Sequence, residues 1–516
     1  MSTKKITQYF GKVSFAILIC RIFGYIRDMF VAKFFGAGLF ADAFYAAYRI
    51  PNLFRRLLGE GAFSASFVPV FTEYLNTKSK EETQDLLNAV FTTLFIILSI
   101  LTILGIIFAS EITKLVAWGF EISPKKLELT ITLVRIMFPY LLLICLAALL
   151  LGTLNALHIF FLPALSPLYL DFAEIIYILL IAGYLLSPIK GLAVAVVIGG
   201  LGQFAYQLPI LFKHGWQLRF KINFRHPGLR RIFLLMLPAM IGFSVEQINS
   251  FVDTLCGSFL REGSVTALYY SNRLMQLPLA LFGIAMATVS LPMMAKSVSA
   301  KNFTELKDTL SLSLRTVFFI IIPASVGLMV LAEPIVRLLF QRGAFTAEAT
   351  KLTSQALFYY ALGTFAYAGT KIVAAVFYSL QDTKTPLKVA VLALSLNVVL
   401  NLILMEIMGV GGLALATAIS SIVNFSILLI ILRLRIGKVG LRRIIETVKR
   451  TLLATLIMAI VCYLLAYHFF PWSKFLSVII PITSGVVIYF LLTHFLKMEE
   501  SKTLFAVLEK EETGEL

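Results

Sequence analysis

Between Asp42 and Pro69 the chain reads DAFYAAYRIPNLFRRLLGEGAFSASFVP, which places Asp42, Arg49, Arg55, Arg56 and Glu60 in an otherwise apolar stretch. A second apolar stretch just before it carries Arg21, Arg27 and Asp28. Charges at membrane depth are costly and face a polar cavity or one another. A guanidinium offers a planar fork of donors that matches carboxylate or phosphate, and it keeps its proton. Arginines outnumber acids here, so the chemistry this pattern suits is binding an anion. A diphosphate would engage several forks at once. Asp28, Asp42, Arg49, Arg56 and Glu60 read as supporting or gating groups. The structural alternative is that the arginines pair with the three acids or reach out to headgroups.

A weaker set of polar residues lies further along. Asp253, Asn397, Asn401 and Thr417 sit in apolar segments, with Asn397 and Asn401 four apart on one helical face. Their oxygens are of the sort a hard cation such as sodium accepts. Hydrogen bonds between helices account for them equally well. No catalytic constellation stands out. The five histidines are scattered, and no glycine-rich phosphate loop ending in lysine occurs. The four cysteines, Cys20, Cys145, Cys256 and Cys462, show no metal-ligand spacing. The expectation is a transporter without cofactor, driven by sodium or by the membrane potential, and not an enzyme.

The elements that must position these residues are membrane helices. Of the 516 residues, 59% are hydrophobic and 14% charged, against about 25% charged in ordinary soluble domains. Apolar windows give fourteen spans, near 13–34, 40–74, 86–110, 127–155, 162–186, 190–212, 229–256, 265–294, 311–336, 352–379, 386–406, 410–432, 451–469 and 475–496. The net charge of +17 suits orientation and contact with anionic phospholipids better than nucleic acid. Basic residues gather at Lys4, Lys5 and Lys12, at Lys78 and Lys80, between Lys213 and Arg231, and between Arg433 and Arg450. By the positive-inside rule these are cytoplasmic, as are both termini. The basic connector at 213–228 reads as an amphipathic segment on the membrane surface, with Trp216 and Phe220 dipping inward.

The chain also repeats itself. ALYYSNRLMQLPLALFGIAMATVSLP, from Ala267, lies over the stretch from Ala43, pairing Arg49 with Arg273 and Gly59 with Gly283. Glu111 pairs with Glu333, and Pro163 with Pro386, at nearly the same offset. Six spans per copy is an even number, so both copies enter the bilayer in the same direction, an arrangement alternating-access transporters use. The expected architecture is all-α and polytopic. It has an N-lobe at 1–212, a connector at 213–228 and a C-lobe at 229–432. A basic loop at 433–450, two added spans at 451–496 and a charged tail at 497–516 follow.

The run RIFGYIRDMFVAKFFGAGLFADAFYAAYRIPNLFRRLLGEGAFSASFVPVFTEY, from Arg21, resembles the N-terminal signature of the MurJ/MviN family, bacterial lipid II flippases. RLMQLP at Arg273 and QDTKTPLK at Gln381 extend the likeness along the chain. The resemblance implies a MATE-like fold of fourteen helices, with two six-helix lobes around a cationic cavity. It further implies that the last two helices form a groove for a polyprenyl tail. The implied cargo is lipid II, carried to the outer leaflet of the bacterial inner membrane for peptidoglycan synthesis. Implied cargo-binding residues are Arg21, Arg27, Arg55 and Arg273, with Asp42 in support. Relatives often carry glutamate where this chain has Gln276, so no ion-pair role follows there. Partners expected on this basis are lipid II and cell-wall synthesis and division machinery, with the protein acting as a monomer. Competing readings are an exporter of another polyprenyl-linked glycan or of drugs, or a structural component of a wall-assembly complex.

Overall fold

The structure, a computed structural model, describes residues 3–55 and 62–501, with side chains from residue 15 onward except at 238, 239, 241–243, 245 and 246. Arg56 and Glu60 therefore lie outside the described residues, as does the tail beyond Ser501. Helices in chain order are α1 (Thr3–Phe35), α2 (Leu39–Phe54), α3 (Ala62–Thr77), α4 (Lys80–Ile107), α5 (Ala109–Val116), α6 (Pro124–Met137) and α7 (Pro139–Ala156). Next come α8 (Phe161–Ala164), α9 (Leu168–Leu180), α10 (Pro188–Lys213), α11 (Pro227–Ser258), α12 (Ser264–Pro278) and α13 (Ala285–Ser299). The last are α14 (Phe303–Val330), α15 (Ala332–Leu339), α16 (Ala347–Ser379), α17 (Lys384–Met408), α18 (Val410–Ile436), α19 (Leu441–Phe469) and α20 (Leu476–Phe495). Among the described residues, eleven helical stretches are long and apolar enough to cross a membrane. The other expected crossings coincide with α1, α2–α3 and α11, helices that carry buried or half-buried charge.

Contacts divide the chain into two compact units, residues 1–265 with 342–345, and residues 266–341 with 346–516. The helix α11 belongs to the first of these, where it packs on α3.

The repeat is visible as matched local geometry. The helices α4 and α14 each run 28 residues. Ser79 caps the first by accepting from the Glu82 N–H, and Asn302 caps the second by accepting from the Glu305 N–H. Both helices break at one non-helical residue, Phe108 (ψ 21°) and Leu331 (ψ 15°), and resume as eight-residue helices α5 and α15. Each short helix has an acid in its first turn (Glu111, Glu333) and a base in its last (Lys114, Arg337), which complements the helix dipole. Further on, His158 and Gln381 stand in left-handed backbone, φ 61° and 59°. The following N–H groups, Ile159 and Asp382, each donate to a carbonyl five residues back, Leu154 and Phe377, both at 2.9 Å. The same C-cap motif also forms at Lys301 and Lys497, so what marks the duplication is its recurrence at His158 and Gln381 at the repeat offset.

The connector after α10 is extended, not helical, from Trp216 to Asn223. Gln84, Asn88 and Thr92, spaced four apart on α4, accept from the backbone N–H groups of Gln217, Arg219 and Lys221 at 3.1, 3.0 and 2.9 Å. Trp216 is buried in the protein against Phe71, whereas Phe220 is exposed and touches Phe91 and Phe95. Of the two aromatics expected to dip into lipid, Trp216 instead joins the protein core. Packing against Phe71 takes its large apolar surface out of solvent.

In the second unit, α19 and α20 pack together and against α14. Phe319, Met458, Cys462 and Tyr489 form their shared core. The Tyr489 hydroxyl donates to the Phe319 carbonyl at 2.6 Å. Arg315 joins α14 to the segment after α20 through Glu500 (2.6 Å) and Glu499 (2.7 Å), and Thr447 of α19 donates to Glu500 at 2.9 Å.

Candidate functional site

In the first unit the charged residues of α1 and α2 are held in separate buried arrangements. Arg27 is a hub. Its guanidinium lies 2.8 Å from Asp28, 3.1 Å from Asp171 and 3.6 Å from Glu174. All four side chains are buried. Asp171 and Glu174 are three apart on α9 and so share the face turned to α1. Burying one charge alone is prohibitive, but a hydrogen-bonded group of opposite charges meets much of that cost. Sequence reasoning found Arg27 and Asp28 but did not identify Asp171 and Glu174 as partners of Arg27.

Asp42, in the first turn of α2, is fully buried. Lys126 Nζ lies 2.7 Å from its Oδ2, and the Gly263 N–H donates to the same oxygen at 2.8 Å. Lys126 also sits 4.1 Å above the Phe120 ring. Asp42 thus ties α2 to the start of α6 and to the turn before α12. Sequence reasoning missed Lys126, because it stands beside exposed lysines and acids in what reads as a solvated loop.

The remaining arginines are half-buried. Arg55, at the end of α2, donates from Nε to Asn52 Oδ1 at 2.9 Å. Arg49 lies on α2, and Arg21 on α1 six residues before Arg27. Arg21 forms no ion pair among the described residues. Arg273 is half-buried on α12 of the second unit, where the neighbouring Gln276 donates to Asn272 at 2.5 Å.

Of the four oxygen-bearing residues expected to suit sodium, three come together in the second unit. Asn401 Nδ2 donates to Asn397 Oδ1 at 2.9 Å, and Asn397 Nδ2 to Thr417 Oγ1 at 3.1 Å, all fully or nearly fully buried. Asp253 belongs to α11 of the first unit and is buried there. Among the described residues no group of three His, Cys, Asp or Glu is placed to hold a metal ion.

QDTKTPLK is a structural junction. Asp382 accepts from the backbone N–H groups of Lys384 and Thr385 at 3.1 and 3.0 Å and from the Thr385 hydroxyl at 2.7 Å, which starts α17. Arg435, near the end of α18, pairs with the same carboxylate. The Thr385 hydrogen bonds and then Arg435 hold Asp382 well below the usual carboxylate range.

Long apolar helices, a duplicated helical unit and buried ion networks define a polytopic membrane protein of the architecture that alternating-access transporters use. The family model described as "Lipid II flippase MurJ" matches residues 31–483. A Vibrio cholerae protein named "Probable lipid II flippase MurJ" is 40% identical over 423 residues, 81% of each chain. A solved structure, "Lipid II flippase MurJ, inward closed conformation", superposes with TM-score 0.79 at 30% identity, covering 94% of this chain and 98% of the other. An inward-facing multidrug MATE transporter of the MOP superfamily gives TM-score 0.68 at 13% identity, a likeness of fold alone. The chain belongs to the MurJ lipid II flippase family, a family of multi-pass inner-membrane proteins that transport a peptidoglycan precursor.

Proposed function

We propose that the protein flips lipid II from the cytoplasmic to the outer leaflet by alternating access. Family membership over nearly the whole chain carries this reading, and the arginine excess supplies the chemistry. The diphosphate binds at Arg21, Arg55 and Arg273, with Arg27 as the fourth guanidinium expected to serve it. The network around Arg27 assigns that residue a second task, holding α1 on α9. Arg21, half-buried and without an ion pair among the described residues, is the side chain best suited to take up an anion. Arg49, Asp28 and Asp42 support the site, with Arg56 and Glu60 completing the expected set. No bond is made or broken. The cargo is bound, exposed on the other side and released.

The energy source belongs to the same proposal, either sodium or the membrane potential. Asp253, Asn397, Asn401 and Thr417 are the residues whose substitution separates the two. Anionic phospholipids are proposed as a second lipid partner, wall-synthesis and division proteins as further partners, and the monomer as the working form with both termini cytoplasmic.

The test is rescue of a bacterium depleted of its own flippase, with membrane levels of each variant measured in the same cells. A lipid-II-cleaving enzyme confined to the outer face reports cargo delivery directly. Wild type should restore growth and outer-leaflet lipid II. Arg21→Ala, Arg55→Ala and Arg273→Ala should do neither at normal membrane levels. Full rescue by all three would refute diphosphate binding at these residues.

A further inference from the structure

Where α18 ends and α19 begins, the loop Gly437-Lys438-Val439-Gly440 opens a cavity of about 700 Å³ in the second unit. Arg433, Lys438, Arg442 and Lys449 line it, together with Leu441 and Ile445. None of these four cations forms an ion pair among the described residues. The acid on the cavity wall, Glu446, is engaged by Arg450 at 2.5 Å. Both glycines of the loop stand at positive φ, 85° and 70°. At Gly440 a Cβ would sit 2.9 Å from Ser311 Oγ. That hydroxyl belongs to a residue 4% exposed and has no hydrogen-bond partner among the described residues. Gly440 also stands at the N-cap of α19, where no side chain caps the free N–H groups of the first turn. Such groups attract anions.

Four unpaired cations, uncapped helix N–H groups and an unsatisfied hydroxyl at the floor glycine describe a receptor for phosphate oxygens. The face of α19 that carries Arg442, Ile445 and Lys449 continues, at helical spacing, as exposed Leu452, Leu456 and Ile460. A ligand lying on this face meets charge first and hydrocarbon next, the order of groups in a phospholipid. We infer that the cavity binds the phosphate headgroup of an anionic phospholipid whose acyl chain lies along α19. The inference locates the phospholipid contact proposed above. It rests on the membrane setting of the chain and stands whether or not the cargo is lipid II.

The test uses the full chain in nanodiscs of phosphatidylcholine with a minor fraction of phosphatidylglycerol. Lipid retained after mild detergent extraction is counted per protein by mass spectrometry. The variants are Arg442→Gln/Lys449→Gln, Lys438→Gln on the loop alone, and Lys78→Gln/Lys296→Gln as a control of equal charge change elsewhere. Wild type and control should retain phosphatidylglycerol over phosphatidylcholine. The double variant should lose about tenfold of that preference, since each basic residue near an anionic surface contributes severalfold. If the double variant fails to fold, Lys438→Gln gives the same reading with a smaller loss. Equal retention by the folded variants overturns the inference. So does displacement of the lipid by millimolar inorganic phosphate, which marks a site for a soluble anion. Lipid preference that appears only in a chain ending at Ser501 overturns it too, because the acidic tail would then be the occupant. Complementation by the double variant is scored separately and bears only on flipping.

Discussion

The two buried ion networks of the first unit join residues far apart in the chain, Arg27 with Asp171 and Glu174, and Asp42 with Lys126. Arg27 and Asp42 were legible in the sequence as charges in apolar stretches, but Asp171, Glu174 and Lys126 were not legible as their partners. Pairing at such range depends on how helices pack, and no local pattern encodes it. The same geometry separates structural from cargo-binding roles. Lys126→Met should leave the buried Asp42 carboxylate without its ammonium partner, costing about 3–5 kcal/mol as broken buried pairs do. Thermal unfolding in detergent measures this, and adding Asp42→Asn should recover part of the loss. Arg21→Ala should leave the melting temperature unchanged while abolishing rescue. His226 gives a pH-dependent counterpart. Its Nδ1 accepts from the Gly228 N–H at 3.2 Å to cap α11, which requires the neutral ring. Burial pushes its pKa below the ordinary value, with Lys221 adding to the effect and Asp85 and Glu82 opposing it. A lowered folded-state pKa contributes stability above the ordinary histidine value, near pH 6.5, that is lost as pH falls. The melting temperature should therefore drop between pH 7 and pH 5, and His226→Asn, which keeps a cap acceptor, should flatten that drop.

Elements were more legible than partners. Every expected span has helical counterparts, because hydrophobic runs of this length leave the backbone no other way to satisfy itself in lipid. The repeat, read from a few aligned residues, reappears as equal helix lengths, paired caps and paired left-handed residues. What the residue pattern hid was the connector. Its basic and aromatic residues read as an amphipathic surface segment, yet its N–H groups are taken by side chains of α4. Removing those acceptors with Gln84→Ala, Asn88→Ala and Thr92→Val together should free the strap. Limited trypsin digestion should then cut at Arg219 and Lys221 several times faster, with α4 itself intact. The caps offer a paired measurement. Ser79→Ala and Asn302→Ala should each cost about 1 kcal/mol, and closely similar losses would show that the two copies carry equivalent loads.

At the scale of the whole molecule the family assignment was legible because its signature is long and local. The fastening of α19 and α20 was not, since Arg315, Thr447 and Glu500 come from three distant stretches. The two added helices are held to α14 by Arg315 with Glu499 and Glu500 and by Tyr489 on Phe319, and to α15 by Arg337 donating to the Phe470 carbonyl at 2.7 Å. Cys462, 2% exposed between α19 and α20 and donating to the Pro481 carbonyl, is a built-in reporter of that packing. Glu500→Ala should raise the maleimide labelling rate of Cys462 several-fold, read by site-resolved mass spectrometry, with Cys145 as the buried reference.

The strap on α4 also acts as a vernier. Four residues of helix advance about 6.0 Å, whereas two residues of extended chain advance about 6.6 Å. The two scales stay close enough over three rungs for each N–H to meet its acceptor, at 3.1, 3.0 and 2.9 Å. The near-match of the two periods thus fixes the register of the strap on α4. Deleting two residues from the strap should remove one rung and keep the alternation. Deleting one should turn every remaining N–H away from its acceptor and cost more, though it shortens the chain less.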